Sequence, residues 1–387
     1  MFRKMPFILI GVILLSTFLN PWISLPLKSL IYGFSLSIKS LIVFTLPFLI
    51  FGLLFNTAVN FSRGASKMIL FLIGGICLSN FVSTLLSYSV GKYAFHLDLA
   101  MTLPTAENAL TPLWEIEMPK WIGNGQAMLA GLLLGIGMGR FFPELALKFN
   151  TKFQKIITLI LKGILIAVPF FIAGFVIKMN HDGIMGTILQ NYGFIFALIA
   201  GALILYISFL YLLVNGFQRA SFISSLKNMI PAAIAGFGSM SSAAAMPLSL
   251  IGAEKNSPNP VLAKAIVPAT VNVHLMGDCF AIPIFAFAIL HSFGLPEPSF
   301  VTYLLFAGSF VLAKFSVAAV PGGGILVMLP ILENILGLNA EMLSLITALY
   351  FLFDPVVTCA NVLGNGSFTI GMSKWLKAPA ALPEKEF

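Results

Sequence analysis

The sequence is short of charge. Only 9% of its 387 residues are Asp, Glu, Lys or Arg, against roughly 25% in a soluble domain, and this deficit excludes an ordinary water-soluble protein. Disorder is excluded as well, because it requires low hydrophobicity with high net charge and 59% of this chain is hydrophobic. Cysteine is scarce: Cys77, Cys279 and Cys359 lie in apolar stretches without CxxC or Cys/His metal spacing. They read as small core residues and say nothing about redox compartment. There is no phosphate-binding Gly-Lys motif, no HExxH and no credible Ser/His/Asp set, so neither an enzyme nor a cofactor is expected.

What is present is apolar length. The chain holds 37 Phe, 33 Gly and 22 Pro, and its mean hydropathy is +0.99. Gly and Pro are commoner in transmembrane than in soluble helices. At about 20 residues per crossing, the length accommodates roughly eight to ten membrane elements. Apolar stretches of that kind fall at about 6–24, 36–61, 68–95, 124–140, 155–178 and 188–215. The N-terminus resembles a signal peptide, with Arg3 and Lys4 before an apolar run over 7–19, but it has no A-x-A-like cleavage site. It reads as a retained first helix.

The net charge of +8 reads as a topology signal rather than a nucleic-acid footprint, because Lys and Arg collect in short cytoplasmic loops. With the N-terminus cytoplasmic, every second connector is basic. The cytoplasmic set is Arg3, Lys4, Arg63, Lys67, Arg140, Lys148, Lys152, Lys155, Arg219, Lys227, Lys255, Lys264, Lys374, Lys377 and Lys385, which is 15 of the 22 basic residues. Lys28, Lys39, Lys92, Lys120, Lys162, Lys178 and Lys314 remain. Segment 96–120 has the opposite bias, with Asp98, Glu107, Glu115 and Glu117 against Lys120, and reads as an external loop.

Beyond residue 220 the tally holds only with a break in the pattern. Stretch 230–252 is apolar but interrupted by Gly236, Gly238, Ser239, Ser241, Ser242 and Pro247, with Lys227 before it and Lys255 after it. A full crossing would put one lysine outside, whereas a re-entrant hairpin keeps both inside. A second broken segment, about 303–335, centres on Pro321, Gly322, Gly323 and Gly324. Two interrupted segments in corresponding positions point to a transporter binding site. Irregular backbone at membrane depth survives only inside protein or beside a wet cavity.

Two carboxylates, Asp278 and Asp354, lie deep within predicted spans. Each costs at least about 2.5–3.5 kcal/mol on insertion scales, which makes it a functional candidate; the bland alternative is a wet helix end or an internal hydrogen bond. Asp354, Thr358, Asn361 and Asn365 are spaced four, three and four apart and share one helix face. Such a stripe suits a zwitterion: the carboxylate pairs an ammonium, and the hydroxyl and amides serve a carboxylate. His274 and Asp278, also four apart, are expected either as a proton-handling pair or as a packed histidine bonded to the acid. Ser239, Ser241 and Ser242 offer amides and hydroxyls at a hairpin tip.

These residues resemble the dicarboxylate/amino acid:cation symporter family. Ser239-Met-Ser-Ser-Ala-Ala-Ala-Met-Pro247 is similar to its first-hairpin serine motif, and Val320-Pro-Gly-Gly-Gly324 to its second hairpin tip. Asn361-Val-Leu-Gly-Asn365 resembles its last-helix Asn-Val-Thr-Gly-Asp motif, and His274-Leu-Met-Gly-Asp278 its Asn-Met-Asp-Gly-Thr motif. The resemblance implies an all-α polytopic membrane protein of eight transmembrane helices and two re-entrant hairpins, an inverted-repeat elevator-type transporter assembled as a homotrimer. Residues 1–215 would be mainly scaffold, with the third and sixth spans moving with the core. Residues 216–373 would be the transport core: hairpin 1 about 222–252, a helix about 260–292, hairpin 2 about 300–338 and a last helix about 341–373. Residues 374–387 would be a cytoplasmic tail, and the chain a multi-pass protein of the cell (inner or plasma) membrane with both termini cytoplasmic and lipid around it.

By position, the resemblance makes Asp354 the site for the substrate amino group and Asn361 that for its carboxylate. Thr358 and Val357 would line the pocket, Ser241 and Ser242 would complete the carboxylate site, and Pro321, Gly322 and Gly323 would form the gate. Members that carry acidic substrates place an arginine where this chain has Val357, so a neutral amino acid is expected, since an unpaired carboxylate beside valine is costly to desolvate. The sodium-binding aspartates are replaced by Asn365 and Met276. A further sodium site at the backbone of Val271, Asn272 and Leu275 with hairpin 2 remains open, as does proton coupling through Asp278 and His274. A passive channel or a carrier of another small solute is the alternative, against which stands the lack of a filter motif or ring of like charges.

Overall fold

The computed structural model describes residues 5–63, 67–97, 109–119, 121–183, 185–317 and 322–376. Arg3, Lys4, Asp98, Glu107, Lys120, Val320, Pro321, Lys377 and Lys385 lie outside the described residues. Among those described, every regular element is helical. They run α1 (Met5–Leu19), α2 (Leu25–Arg63), α3 (Lys67–Phe95), α4 (Asn124–Phe141), α5 (Pro143–His181), α6 (Met185–Val214), α7 (Arg219–Ser239), α8 (Ser242–Asn256), α9 (Pro260–Thr270), α10 (Met276–Ser292), α11 (Phe300–Lys314), α12 (Gly323–Leu336) and α13 (Ala340–Trp375). Five stretches among the described residues are long and apolar enough to cross a membrane: Leu25–Asn56, Leu70–Phe95, Pro143–His181, Tyr192–Val214 and Glu341–Trp375.

Two of the apolar stretches are longer helices than hydropathy alone predicts. The second reaches back to Leu25 through Lys28, and the fifth begins at Pro143 and takes in Lys148, Lys152 and Lys155. Pro at the first position is preorganised for a helix start, so the basic turns of α5 are helical despite their polarity. Asn339 starts α13 by accepting from the Glu341 and Met342 amides, and Asn259 starts α9 through those of Val261 and Leu262.

α13 is the hub. Buried positions make up 83% of its apolar window, against 22–44% in the other four, and it packs on α1, α6, α7, α8, α9, α10 and α12 while α3 covers α10. A second group forms on α2, which lies along α4 and α5, with α1 on α5. Gly131 and Gly135 of α4 sit directly on the α2 backbone at Phe51 and Phe55, the small-residue spacing that lets membrane helices approach closely. Contacts between the two groups are sparse. Leucines and isoleucines such as Ile204, Leu205 and Leu305 are exposed on the outer surface, as a lipid-facing protein requires.

The first broken segment is an antiparallel helical hairpin. α7 and α8 are clasped at their open end by Asn228 donating to Asn256 (2.7 Å) and Asn256 donating to the Ser225 carbonyl (2.9 Å), and they reverse at Met240, whose φ is 50°. α11 and α12 pack on each other as the second hairpin. The span read as one helix over 260–292 is instead two half-helices, α9 and α10, separated by residues 271–275.

Candidate functional site

The stripe on α13 is intact and buried. Asp354, Thr358, Asn361 and Asn365 are each at most 4% exposed, on a helix that continues through Pro355. Asp354 accepts from two neutral donors: the Thr358 hydroxyl at 3.0 Å and the backbone N–H of Gly322 at 2.7 Å. The tip of the second hairpin is therefore bonded to the predicted amine-binding acid. Gly322 has φ of 71°, and a Cβ there would lie 2.0 Å from Phe351 Cζ, so only glycine fits. Gly323 follows it, buried, as the first residue of α12. Pro321, also expected at the gate, is outside the described residues.

Asn361 uses its carbonyl oxygen to accept the Gly277 N–H at 2.7 Å, which fixes its Nδ2 as the free donor end. Val357 is fully buried, and its carbonyl lies so close to Gly277 that a Cβ would sit 2.3 Å from it. The first hairpin reaches the same helix: Gly236 of α7 lies against Thr358 and Val362. Ser241 caps α8 by accepting from the Ala244 amide at 3.2 Å, and Ser242 is buried beside it.

Asp278 and His274 do not pair. Residue 274 precedes α10, which starts at Met276, so helical four-residue spacing does not apply between them. His274 bonds Asn365 Oδ1 through Nδ1 (2.9 Å) and Ser79 Oγ through Nε2 (2.8 Å), with its ring 4.4 Å from that of Phe368. Since the amide oxygen only accepts, Nδ1 carries the proton and Nε2 accepts from the serine. Asp278 instead accepts from Lys314 Nζ on Oδ2 (2.7 Å) and from the Tyr350 hydroxyl on Oδ1 (2.7 Å). Met276 packs on Gly364 of α13, whereas Asn272 is exposed and stands apart from this cluster.

Lys314 escapes sequence reasoning, although a lone lysine inside the second broken segment is a signal of the same kind as a lone acid. Asn80 escapes it too. Its amide donates to the Val273 carbonyl (2.7 Å) and accepts the Leu275 N–H (3.2 Å), replacing the helical bonds lost at the break. The spacing of Asn80, Ser83, Thr84 and Ser87 in apolar α3 marks a buried polar face, with half-buried Ser79 at its edge. The Val273 and Leu275 carbonyls near the expected sodium site already accept from Asn80 and from the Cys279 amide. A cavity of about 480 Å³ lies elsewhere, between α2, residues 115–119 and 121–123, and α12, lined by Lys39, Glu115, Trp121 and Glu333.

Residues 6–375 match the sodium:dicarboxylate symporter family. Among curated proteins, the chain is 24% identical over 379 residues to the serine/threonine transporter SstT of Acinetobacter baumannii, covering 92% of this chain and 90% of that protein. It is 25% identical over 237 residues to excitatory amino acid transporter 1 of mouse and of human, covering 60% of this chain and 41% of theirs.

Proposed function

The chain belongs to the sodium:dicarboxylate symporter family, and from that premise we propose that it is a secondary active symporter of a small neutral amino acid, working by an elevator movement. The observation that carries this reading is the buried Asp354–Thr358–Asn361 face, where among the described residues Asp354 accepts from neutral donors alone. A substrate ammonium competes with the Gly322 amide for the Asp354 carboxylate, which releases the hairpin tip for opening and reclosing over substrate. The Nδ2 of Asn361 and the Ser241–Ser242 turn then serve the substrate carboxylate. Val357, where a cation would be needed for a second carboxylate, supports a neutral substrate, as does the name of the serine/threonine relative.

The packing supports a division of labour. α1, α2, α4 and α5 form the scaffold, with trimer contacts, while α7 to α13 carry the substrate and α3 and α6 travel with them. Eight crossings and two re-entrant hairpins follow if α1, α4 and the broken α9–α10 pair, all built from shorter apolar helices, also span the bilayer. The basic connectors support cytoplasmic termini in a cell membrane. The test is uptake by proteoliposomes of serine, threonine, alanine and aspartate under separate sodium and proton gradients. Accumulation of a neutral amino acid under one gradient is expected; accumulation of none, or of aspartate alone, overturns the reading.

A further inference from the structure

The last turn of a helix carries a partial negative charge from its unpaired carbonyls, and the first turn a partial positive one. In transporters built from broken helices, such C-terminal ends help to hold the coupling cations. α11 ends inside the protein at Lys314, which is fully buried and 2.7 Å from Asp278 Oδ2. Asp278 lies in the first turn of α10. Each charge therefore stands at the helix end that favours it, and the two meet across the junction of hairpin and half-helix. The Lys314 ammonium also lies 4.3 Å from the ring centroid of Phe310, one turn back.

The enclosure is complete. Tyr350 of α13 donates to the other Asp278 oxygen. From the second arm of the hairpin, Gly324 comes so close that a Cβ would lie 2.5 Å from both Asp278 Oδ2 and the Tyr350 oxygen. The pair thus ties the first arm of the hairpin to α10 and, through Tyr350, to α13, with the second arm packed against it. A sodium ion does not fit this place as it stands. The one carboxylate is already neutralised, and a second cation would sit against an ammonium where little solvent screens the repulsion.

We propose that Lys314 is a tethered coupling cation: its ammonium takes the place of one dissociable ion and seats hairpin 2 over the Asp354 site without any free cation at this point. This rests on the symporter reading, since only there does the number of coupled ions matter. One ion fewer moves with each substrate, and the charge that replaces it belongs to the chain.

Thermal unfolding of the purified full-length protein, with no substrate present, tests the assignment separately from transport. Wild type, Lys314→Ser, Lys314→Arg and the Asp278→Asn/Lys314→Ser double variant are titrated with NaCl against choline chloride at constant ionic strength. Lys314→Ser, with an unpaired carboxylate and a new hydroxyl, is expected to start lower and to gain a saturable rise of about 5 °C beyond the wild-type response. Lys314→Arg should follow wild type, and the double variant should gain nothing. A Lys314→Ser protein that gains no sodium response, or is not recovered in NaCl, overturns the proposal, and so does an equal rise in the double variant. Either result leaves the amino-acid reading standing.

Discussion

The two buried acids differ in what neutralises them. Asp278 has both oxygens taken within the chain, one by the Lys314 ammonium and one by the Tyr350 hydroxyl. Asp354, equally buried, accepts among the described residues from a backbone amide and a hydroxyl, neither of which carries charge. A buried carboxylate is tolerated when it is paired and fully hydrogen-bonded. Asp278 meets that condition alone, whereas Asp354 meets it best when a cation arrives from outside. The difference separates a site that holds the molecule together from one that receives a ligand, although the sequence presents both as lone acids in apolar runs.

The comparison breaks most visibly at Lys314. Lys314→Met strands the Asp278 carboxylate, and losing one partner of a buried pair costs about 3–5 kcal/mol. The apparent Tm of the detergent-solubilised protein should fall sharply, and the Asp278→Asn/Lys314→Met double variant should regain most of the loss. Asp354→Asn should act in reverse. Its stability should stay close to wild type, because the amide oxygen still accepts from Gly322 while its NH2 donates to the Thr358 hydroxyl oxygen, and amino-acid affinity measured by calorimetry drops roughly 100-fold with the loss of a charged partner. If the two single variants lose stability equally, the distinction between the acids is gone.

A smaller effect sharpens the same contrast at the hairpin tip. Gly322→Ala puts a side chain at a left-handed position and onto the Phe351 ring, a strain of about 1–3 kcal/mol. Because the Gly322 amide bonds Asp354 rather than Asp278, substrate affinity should weaken by about tenfold while the Lys314 pair is unaffected. A Gly322→Ala protein with wild-type affinity would uncouple the tip from the Asp354 site.

The residues explain which parts of this architecture were legible. The α13 stripe could be read because the helix runs unbroken from Ala340 to Trp375, so spacings of three and four translate directly into one face. The first hairpin could be read because Lys227 and Lys255 flank an apolar stretch on what must be the same side. The break between α9 and α10 could not. Residues 271–275, Val-Asn-Val-His-Leu, include neither Gly nor Pro, and the groups that stabilise the break come from Asn80 on another helix. For the same reason the expected His274–Asp278 pair fails, since its spacing presumes a helix that begins two residues after His274. Lys314 was visible as a letter, but its partner lies 36 positions away, a distance that no periodicity reports.

His274 belongs to neither acid, and Ser79 provides the finest test of that placement. Its hydroxyl donates to Nε2 of a ring whose Nδ1–H is already held by Asn365. Ser79→Ala removes one hydrogen bond and leaves an acceptor without its donor, a loss of about 1 kcal/mol. The expected result is a drop of a few degrees in apparent Tm, with amino-acid affinity and the choice between sodium and proton gradients unchanged. A switch in the driving gradient would instead make His274 part of the coupling machinery, joining it to Asp278 in function although the two do not touch. An unchanged gradient with a lowered Tm keeps His274 as a strut between α3 and α13, and leaves the chemistry of this core to Asp278 and Asp354 and their contrasting environments.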